Sequence, residues 1–567
     1  MANLLYDHRS HARLQAQRAG DATLKLSPPA SLFLLGFIVC VLIIPGSNLP
    51  VSDYPRRLGV AHWLWTGAPP LTGIHVDDQA KLGGVPGRGG VRHPWFGIGQ
   101  SLLLLPADFA VTQVTRRFPS LAREAEAEFQ WRSRAVAYLF FPALNGCVVV
   151  AAFYLLAALG FDARAASLGA LFLLVGTTLL WHVQNNQENG QELLCYLLGS
   201  IGVLSALRPG RRTGAVFAGF AALGFGVVTR LPDLLDLCCA AAMAPLAVLF
   251  GSAGARWRER LRGAADSARL LVLVGLPVTL LSLAVDRLYH WWRFGSWWGT
   301  YMQLYGAQAR AAVPSLPASF PWNGSLLAGA LGPFLALEKS IFLFDPLLLV
   351  TVGIAVARWS QLVPRVRAFV AATLCLLGAK VAAYARFYDW GGNASWGDRY
   401  LTVPVHALCL LAVPLALALW WPRASRWRRR LALLALAGCI GLQALSLVWP
   451  CWYEDAQAKS IHAADWNPYE QVKASNFVIG RRLRTALGLA TGRFAAWHLD
   501  HDGDGRPLAP PPNMLLIMLP LHSLPRAAAV AAKALWAALL ALALWLAWRL
   551  LAKPAGDVPA MQPRGAP

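Results

Sequence analysis

Residues 31–58 read SLFLLGFIVCVLIIPGSNLPVSDYPRRL. The stretch Ser31–Leu49 carries no charged side chain and is close to the roughly 20 apolar residues that cross a hydrocarbon core. It is too long for the apolar region of a signal peptide and has no small-residue cleavage site, so it reads as a retained span. Directly after it, Val51–Gln100 holds Asp53, Arg56, Arg57, Asp77, Asp78, Lys81, Arg92 and His93. That segment is too polar for lipid and too long for a turn, which puts it at a membrane surface. Carboxylates and cations gathered there point to chemistry on a charged substrate delivered by the membrane.

The rest of the chain repeats the first half of this pattern. Of 567 residues, 56% are hydrophobic and 14% charged, whereas soluble domains carry about a quarter charged residues. The net charge of +22 is concentrated in short arginine-rich loops between apolar runs, as membrane topology requires, and does not indicate nucleic acid. Apolar runs fall at 31–49, 135–159, 166–181, 190–207, 213–229, 232–250, 268–286, 338–357, 366–384, 400–421, 429–449 and 526–551. Eight of the nine cysteines lie in or beside them, so there is no disulfide framework and no metal-type cysteine spacing.

The run 101–114 is short and contains Pro106 and Asp108, which suits an interfacial or re-entrant segment. If it does not cross, every arginine cluster falls on the side of the basic N-terminus: Arg208/Arg211/Arg212, Arg256–Arg262, Arg358/Arg365/Arg367 and Arg423–Arg430. The positive-inside bias therefore predicts an all-α polytopic membrane protein of about twelve transmembrane helices, both termini cytoplasmic, with a large first extracytoplasmic loop at 50–134 carrying surface helices. Residues 1–450 form one bundle. Residues 451–525 form an extracytoplasmic cap, and 526–567 a last span and cytoplasmic tail. Asp500, Asp502 and Asp504 lack the glutamate that closes a calcium loop and read as a polar turn.

Several polar residues on the outward face carry two readings. Asp53 is either a general base for an acceptor hydroxyl or a helix cap paired with Arg56. Arg57–Trp65 fits a short interfacial helix. Arg92 and His93 either hold a phosphate beside a lipid tail or lie at a surface with the arginine snorkelling. His182, Glu188 and Glu192 lie in HVQNNQENGQE, which faces either a hydrated cavity or a polar turn. In YARFYDWGGNASWGDRY, Trp396 has the interfacial preference of any tryptophan, whereas Arg399 at the mouth of a span calls for a paired or phosphate-bound role.

Five stretches, in order, then resemble one family: SDYPRR (52–57), RHPWFGIGQSLLLLPAD (92–108), RLYHWWRFGSWWGTYMQ (287–303), LEKSIFLFDPLLL (337–349) and SWGDRYLTVPVHAL (395–408). Together they resemble GT-C glycosyltransferases of the glycosyltransferase 39 and aminoarabinose-transferase group. The resemblance implies a bacterial cytoplasmic-membrane enzyme with a polyprenyl-phosphate-linked sugar donor and a glycan, lipid or protein acceptor on the outer face. It assigns Asp53 as base and Arg92, His93, Lys339 and Arg399 to the donor phosphate; Arg56, Asp78, His182, Glu188, Glu192 and Trp396 are the residues expected to line the substrate cavity. The resemblance names no definite cofactor and leaves metal dependence open: a divalent metal (Mg or Mn) enters through relatives with an acidic pair where this chain has Asp53–Tyr54. The competing reading is a lipid-linked saccharide flippase or secondary transporter, which would place charges near mid-membrane and show paired halves.

Overall fold

The computed structural model describes residues 26–44, 53–71, 84–119, 125–184, 186–208, 213–251, 256–392, 395–447, 477–491 and 526–552. Asp78, Cys451, the aspartates at 500–504 and most of the 451–525 segment lie outside these residues.

α1 (Pro28–Ile43) starts at the N-cap Ser27, whose hydroxyl accepts from Ala30 N, with prolines in its first turn. It packs between α4 (Ala125–Leu159) and the last helix. Between them run two surface helices. α2 (Asp53–Thr66) covers the predicted interfacial stretch, and α3 (Gly99–Arg117) covers the ambiguous run 101–114. A two-stranded hairpin, β1 (Gly84–Pro86) with β2 (Arg92–Pro94), joins them, with Val85 opposite His93. α3 does not have the hydropathy of a spanning helix. It buries Asp108 completely, where the carboxylate accepts from His62 and Trp65 of α2 and faces Arg132 of α4. A carboxylate so desolvated persists only with such partners, and here they pin α2 and α3 to the bundle.

The bundle continues through α5 (Ala163–Val175), α6 (Leu179–Gln184), α7 (Asn189–Ser205), α8 (Thr213–Thr229), α9 (Leu234–Leu249) and the long α10 (Trp257–Phe294). α7 and α8 touch through glycines: a Cβ on Gly202 would lie 2.5 Å from Gly219 Cα, a small-residue contact typical of helices packing in lipid. After α11 (Tyr301–Ala312) come α12 (Leu326–Leu335), α13 (Ile341–Phe344), α14 (Leu347–Arg358), α15 (Pro364–Tyr384), α16 (Thr402–Arg423), α17 (Arg426–Ser446), α18 (Val478–Ala490) and α19 (Arg526–Ala552).

Seven helices among the described residues are long and apolar enough to cross a membrane, and five apolar helices are shorter. The all-α polytopic class stands; a count of about twelve spans is an expectation these lengths do not reach. Three boundaries differ from the sequence reading. The run 166–181 breaks after Val175. The run 338–357 starts as a helix proper only at Leu347, because Asp345 turns back to accept from Thr178 N (2.7 Å) and Thr178 Oγ1 (2.8 Å) and Pro346 follows it. Within the outward stretch 287–337, LLAGALGPFL forms the apolar α12, capped by Ser325; ten residues are too few for a span-length window to register.

Candidate active site

At one end of the bundle the chain ends of α2, α7, α8 and the loop 385–401 converge on charged side chains. The first turn of α2 places Asp53 almost buried. Arg399 Nη1 donates to Asp53 Oδ2 at 3.2 Å, and Arg56 Nη1 stands 3.8 Å from Oδ1. Arg399 is itself held from behind: its carbonyl accepts from Asn189 Nδ2 (3.0 Å), which also donates to Thr402 Oγ1. Its Nε is buried with no hydrogen-bond partner among the described residues. Burial opposes the charge on Arg399, but Tyr400, Asp53 and Glu188 more than offset this and raise its pKa.

Glu188 links this pair to a second one. Its Oε2 accepts from Arg57 Nη1 at 2.5 Å, and Arg230 lies 3.9 Å from Oε1 and 3.3 Å from Glu192 Oε1. Burial raises the Glu188 pKa, yet Arg57, Arg230 and Arg399 outweigh it and hold the carboxyl far below the usual range. Arg57 also donates to Gln100 Oε1 and lies 4.2 Å over the Phe96 ring. Arg230 lies over Tyr400, which stacks on Tyr384 at 4.3 Å, and donates to the Tyr384 hydroxyl. Tyr301, the first residue of α11, completes the group. Burial raises its phenol pKa, and the charges that act on it are those of Arg230, Glu188, Arg399 and Asp53.

The structure thus brings together Asp53, Arg56, Glu188, Glu192 and Arg399 of the expected residues. It gives others different surroundings. Lys339 Nζ donates to Ser395 O (2.9 Å), Ser395 Oγ (3.1 Å) and Gly397 O (3.3 Å), so its three protons hold the loop that carries Arg399. That loop turns at Gly397, whose φ of 77° suits glycine. Arg92 donates to Gly84 O across the hairpin. His93 packs against Trp63 and Phe294, and burial lowers its pKa to about 4. Trp396 is buried edge-on against Phe344 beneath Arg482. His182 is buried 6.1 Å from the His406 ring, and desolvation lowers its pKa to about 3. Arg57, Arg230 and Tyr301 were not selected from the sequence. Arg230 carried the same signal as Arg399, a cation at the end of an apolar run; Tyr301 carried none beyond its place in the 287–303 stretch.

Among the described residues, no three His, Cys, Asp or Glu side chains are grouped to hold a metal ion. The Asp53 carboxylate faces two guanidinium groups, a donor set that does not suit a divalent cation.

No family model and no curated protein matches the chain. Solved structures similar to it include the oligosaccharyltransferase of Archaeoglobus fulgidus in a complex with zinc and sulfate, at 14% identity and TM-score 0.42 over 80% of this chain. The chain spans only 58% of that protein's length. ArnT of Cupriavidus metallidurans bound to undecaprenyl phosphate is similar at 14% identity and TM-score 0.38, over 92% of this chain and 74% of that one. Likeness at this level is too coarse to bear on chemistry.

Proposed function

We propose that this protein is a membrane glycosyltransferase that moves a sugar from a polyprenyl-phosphate donor to an acceptor hydroxyl on the outer face of a bacterial cytoplasmic membrane. The observation that carries the reading is the Asp53–Arg399 pair: a carboxylate and a guanidinium with an unpartnered buried Nε, side by side at one end of a helical bundle. In the proposed reaction the acceptor oxygen attacks the anomeric carbon while its proton passes to the Asp53 carboxylate. The bond from that carbon to the phosphate oxygen breaks, and its electron pair leaves with the polyprenyl phosphate. Configuration inverts because attack and departure are on opposite faces. A phosphate leaving group needs charge stabilisation more than a proton, unlike the leaving alcohol in glycoside hydrolysis. Arg399 is the proposed phosphate ligand, with Arg56 beside it.

Glu188, Glu192, Arg57 and Arg230 have a supporting role in this reading. Their mutual pairing keeps the cations oriented, and such preorganisation is what lets charge stabilisation act in the transition state. Lys339 holds the Arg399 loop, and Arg92 and His93 shape the hairpin packed against α2 and α11. The motif resemblance across 52–408 supports the same chemistry. A flippase would also bind the lipid phosphate, so the test is bond formation. The purified protein in lipid, given a polyprenyl-phosphate sugar and a cell-envelope acceptor fraction, forms a new glycosidic product and free polyprenyl phosphate. Transport of the donor with no product would reject the assignment.

A further inference from the structure

α10 runs well beyond a bilayer's thickness and is apolar on its outer side. Val272, Leu273, Leu276, Leu280, Leu281, Leu288 and Trp292 are all at least 46% exposed, at helical spacing along one stripe. In a membrane bundle such a stripe faces acyl chains. The helix ends at Gly295, in the left-handed conformation (φ 76°) with its N–H on Trp291 O. The following turn, Ser296–Gly299, continues the stripe and presents Trp297 at 45% and Trp298 at 92% exposure.

This turn is built to hold its shape. Arg287 Nη1 donates to Trp297 O (3.3 Å) and Gly299 O (3.1 Å), His290 Nδ1 donates to Ser296 O (2.9 Å), and Gly299 N donates to Ser296 Oγ (3.0 Å). The Trp297 ring stacks on Trp291 at 5.2 Å and 18°, with Arg88 over the Trp291 ring at 4.3 Å. Trp292 stacks on Trp63 of the surface helix α2 at 4.6 Å. Trp298 is therefore projected by a braced turn rather than left loose. An indole so exposed at the end of a lipid-facing stripe matches the headgroup boundary, where its ring is apolar and its N–H meets water.

The geometry points to the Trp297–Trp298 turn as an interfacial anchor that inserts into the headgroup region of the lipid leaflet next to the site. The anchor has a position to set. Thr300 caps α11 directly after the turn, and the next residue is Tyr301, whose phenol senses Arg230, Glu188, Arg399 and Asp53. Depth of the turn in the leaflet fixes the height of Tyr301 relative to the membrane surface, independently of which reaction the site performs.

The test is depth-dependent quenching on the full chain with its native cysteines replaced. A bimane label is placed at Trp298→Cys, with Leu281→Cys as a reference on the acyl-facing stripe and Ser315→Cys as an exposed reference off it, and the protein is reconstituted in phosphatidylethanolamine/phosphatidylglycerol vesicles. Lipids spin-labelled near the headgroup should quench position 298 by about twofold or more, and more than lipids labelled at mid-chain; position 281 should show the reverse order, and position 315 should respond to neither. Equal or stronger quenching of 298 by the mid-chain label, or none by either, overturns the proposal. None of these readouts depends on enzymatic turnover.

Discussion

Arg399 Nη1 lies 3.2 Å from Asp53 Oδ2, joining positions 346 residues apart in the chain. The contact ties the first turn of α2 to the loop that precedes α16. Asp53 is buried and the Arg399 side chain is 20% exposed, and each charge has a further partner, Arg56 for the carboxylate and Glu188 for the guanidinium. Substitutions at the two residues should therefore act differently.

Asp53→Asn should abolish sugar transfer, lowering kcat by about a hundredfold or more, because the amide cannot take the acceptor's proton. Donor binding and protein abundance should stay near wild type. Asparagine caps a helix as well as aspartate does, so activity within a few-fold of wild type in a purified assay would make Asp53 a structural residue.

Arg399→Lys should raise the KM for the polyprenyl-phosphate sugar by about tenfold, since lysine offers a point charge and not the planar fork that suits phosphate. An unchanged KM with reduced kcat would place the arginine's role with Asp53 alone.

Glu188→Gln removes the negative charge that faces Arg57 and Arg230 while keeping an amide oxygen in its place. The buried Arg57 guanidinium loses its ion-pair partner, a change that typically costs about 3 kcal/mol or more, whereas Arg230 keeps Glu192. The variant should show a clearly lower Tm in lipid discs; a wild-type Tm would show that Gln100, Glu192 and Tyr384 suffice to satisfy both arginines.

Burial raises the Asp398 pKa from 3.8 to about 7, although Lys339 opposes the shift. The folded chain therefore holds a proton there that the unfolded chain has released, and this residue's contribution to stability falls as pH rises from about 4 to 7. Melting curves across that window should be flatter for Asp398→Asn than for wild type. Parallel slopes for the two proteins would remove Asp398 as the source.

With the arginine-rich loops cytoplasmic, a cysteine at Ser360 should react only from inside and one at Ser315 only from outside, in intact cells and with an impermeant thiol reagent. Both residues are exposed. Reaction of Ser315→Cys from the cytoplasm would invert the threading.

The apolar runs were legible because a span is a property of contiguous residues. Residue 31 onward, 135–159 and 429–449 reappear as helices for that reason. Asp53, Glu188 and Arg399 were legible too, since each is a costly charge at the end of an apolar run. What periodicity could not reveal is pairing over long distance. Lys339 and Arg399 each looked like a phosphate cation; only in three dimensions is one of them filled by Ser395 and Gly397. Arg57, next to Arg56, could not be ranked above it until Glu188, 131 residues away, was seen against it. Asp345 broke a run that hydropathy had joined, because its partner Thr178 lies far away in the chain, in the turn between α5 and α6.

Arg482 of α18 donates to Leu445 O and Ser446 O, the free carbonyls at the end of α17, and covers Trp396, next in sequence to the Ser395 and Gly397 that hold Lys339. The wall behind the Arg399 loop is thus closed by a residue made long after that loop. During synthesis Asp53 and Arg399 are both translated well before Arg482 emerges, so the nascent chain carries this pair with the end of α17 and Trp396 still without Arg482. Closure of that wall therefore waits on α18, the part of the chain that supplies Arg482.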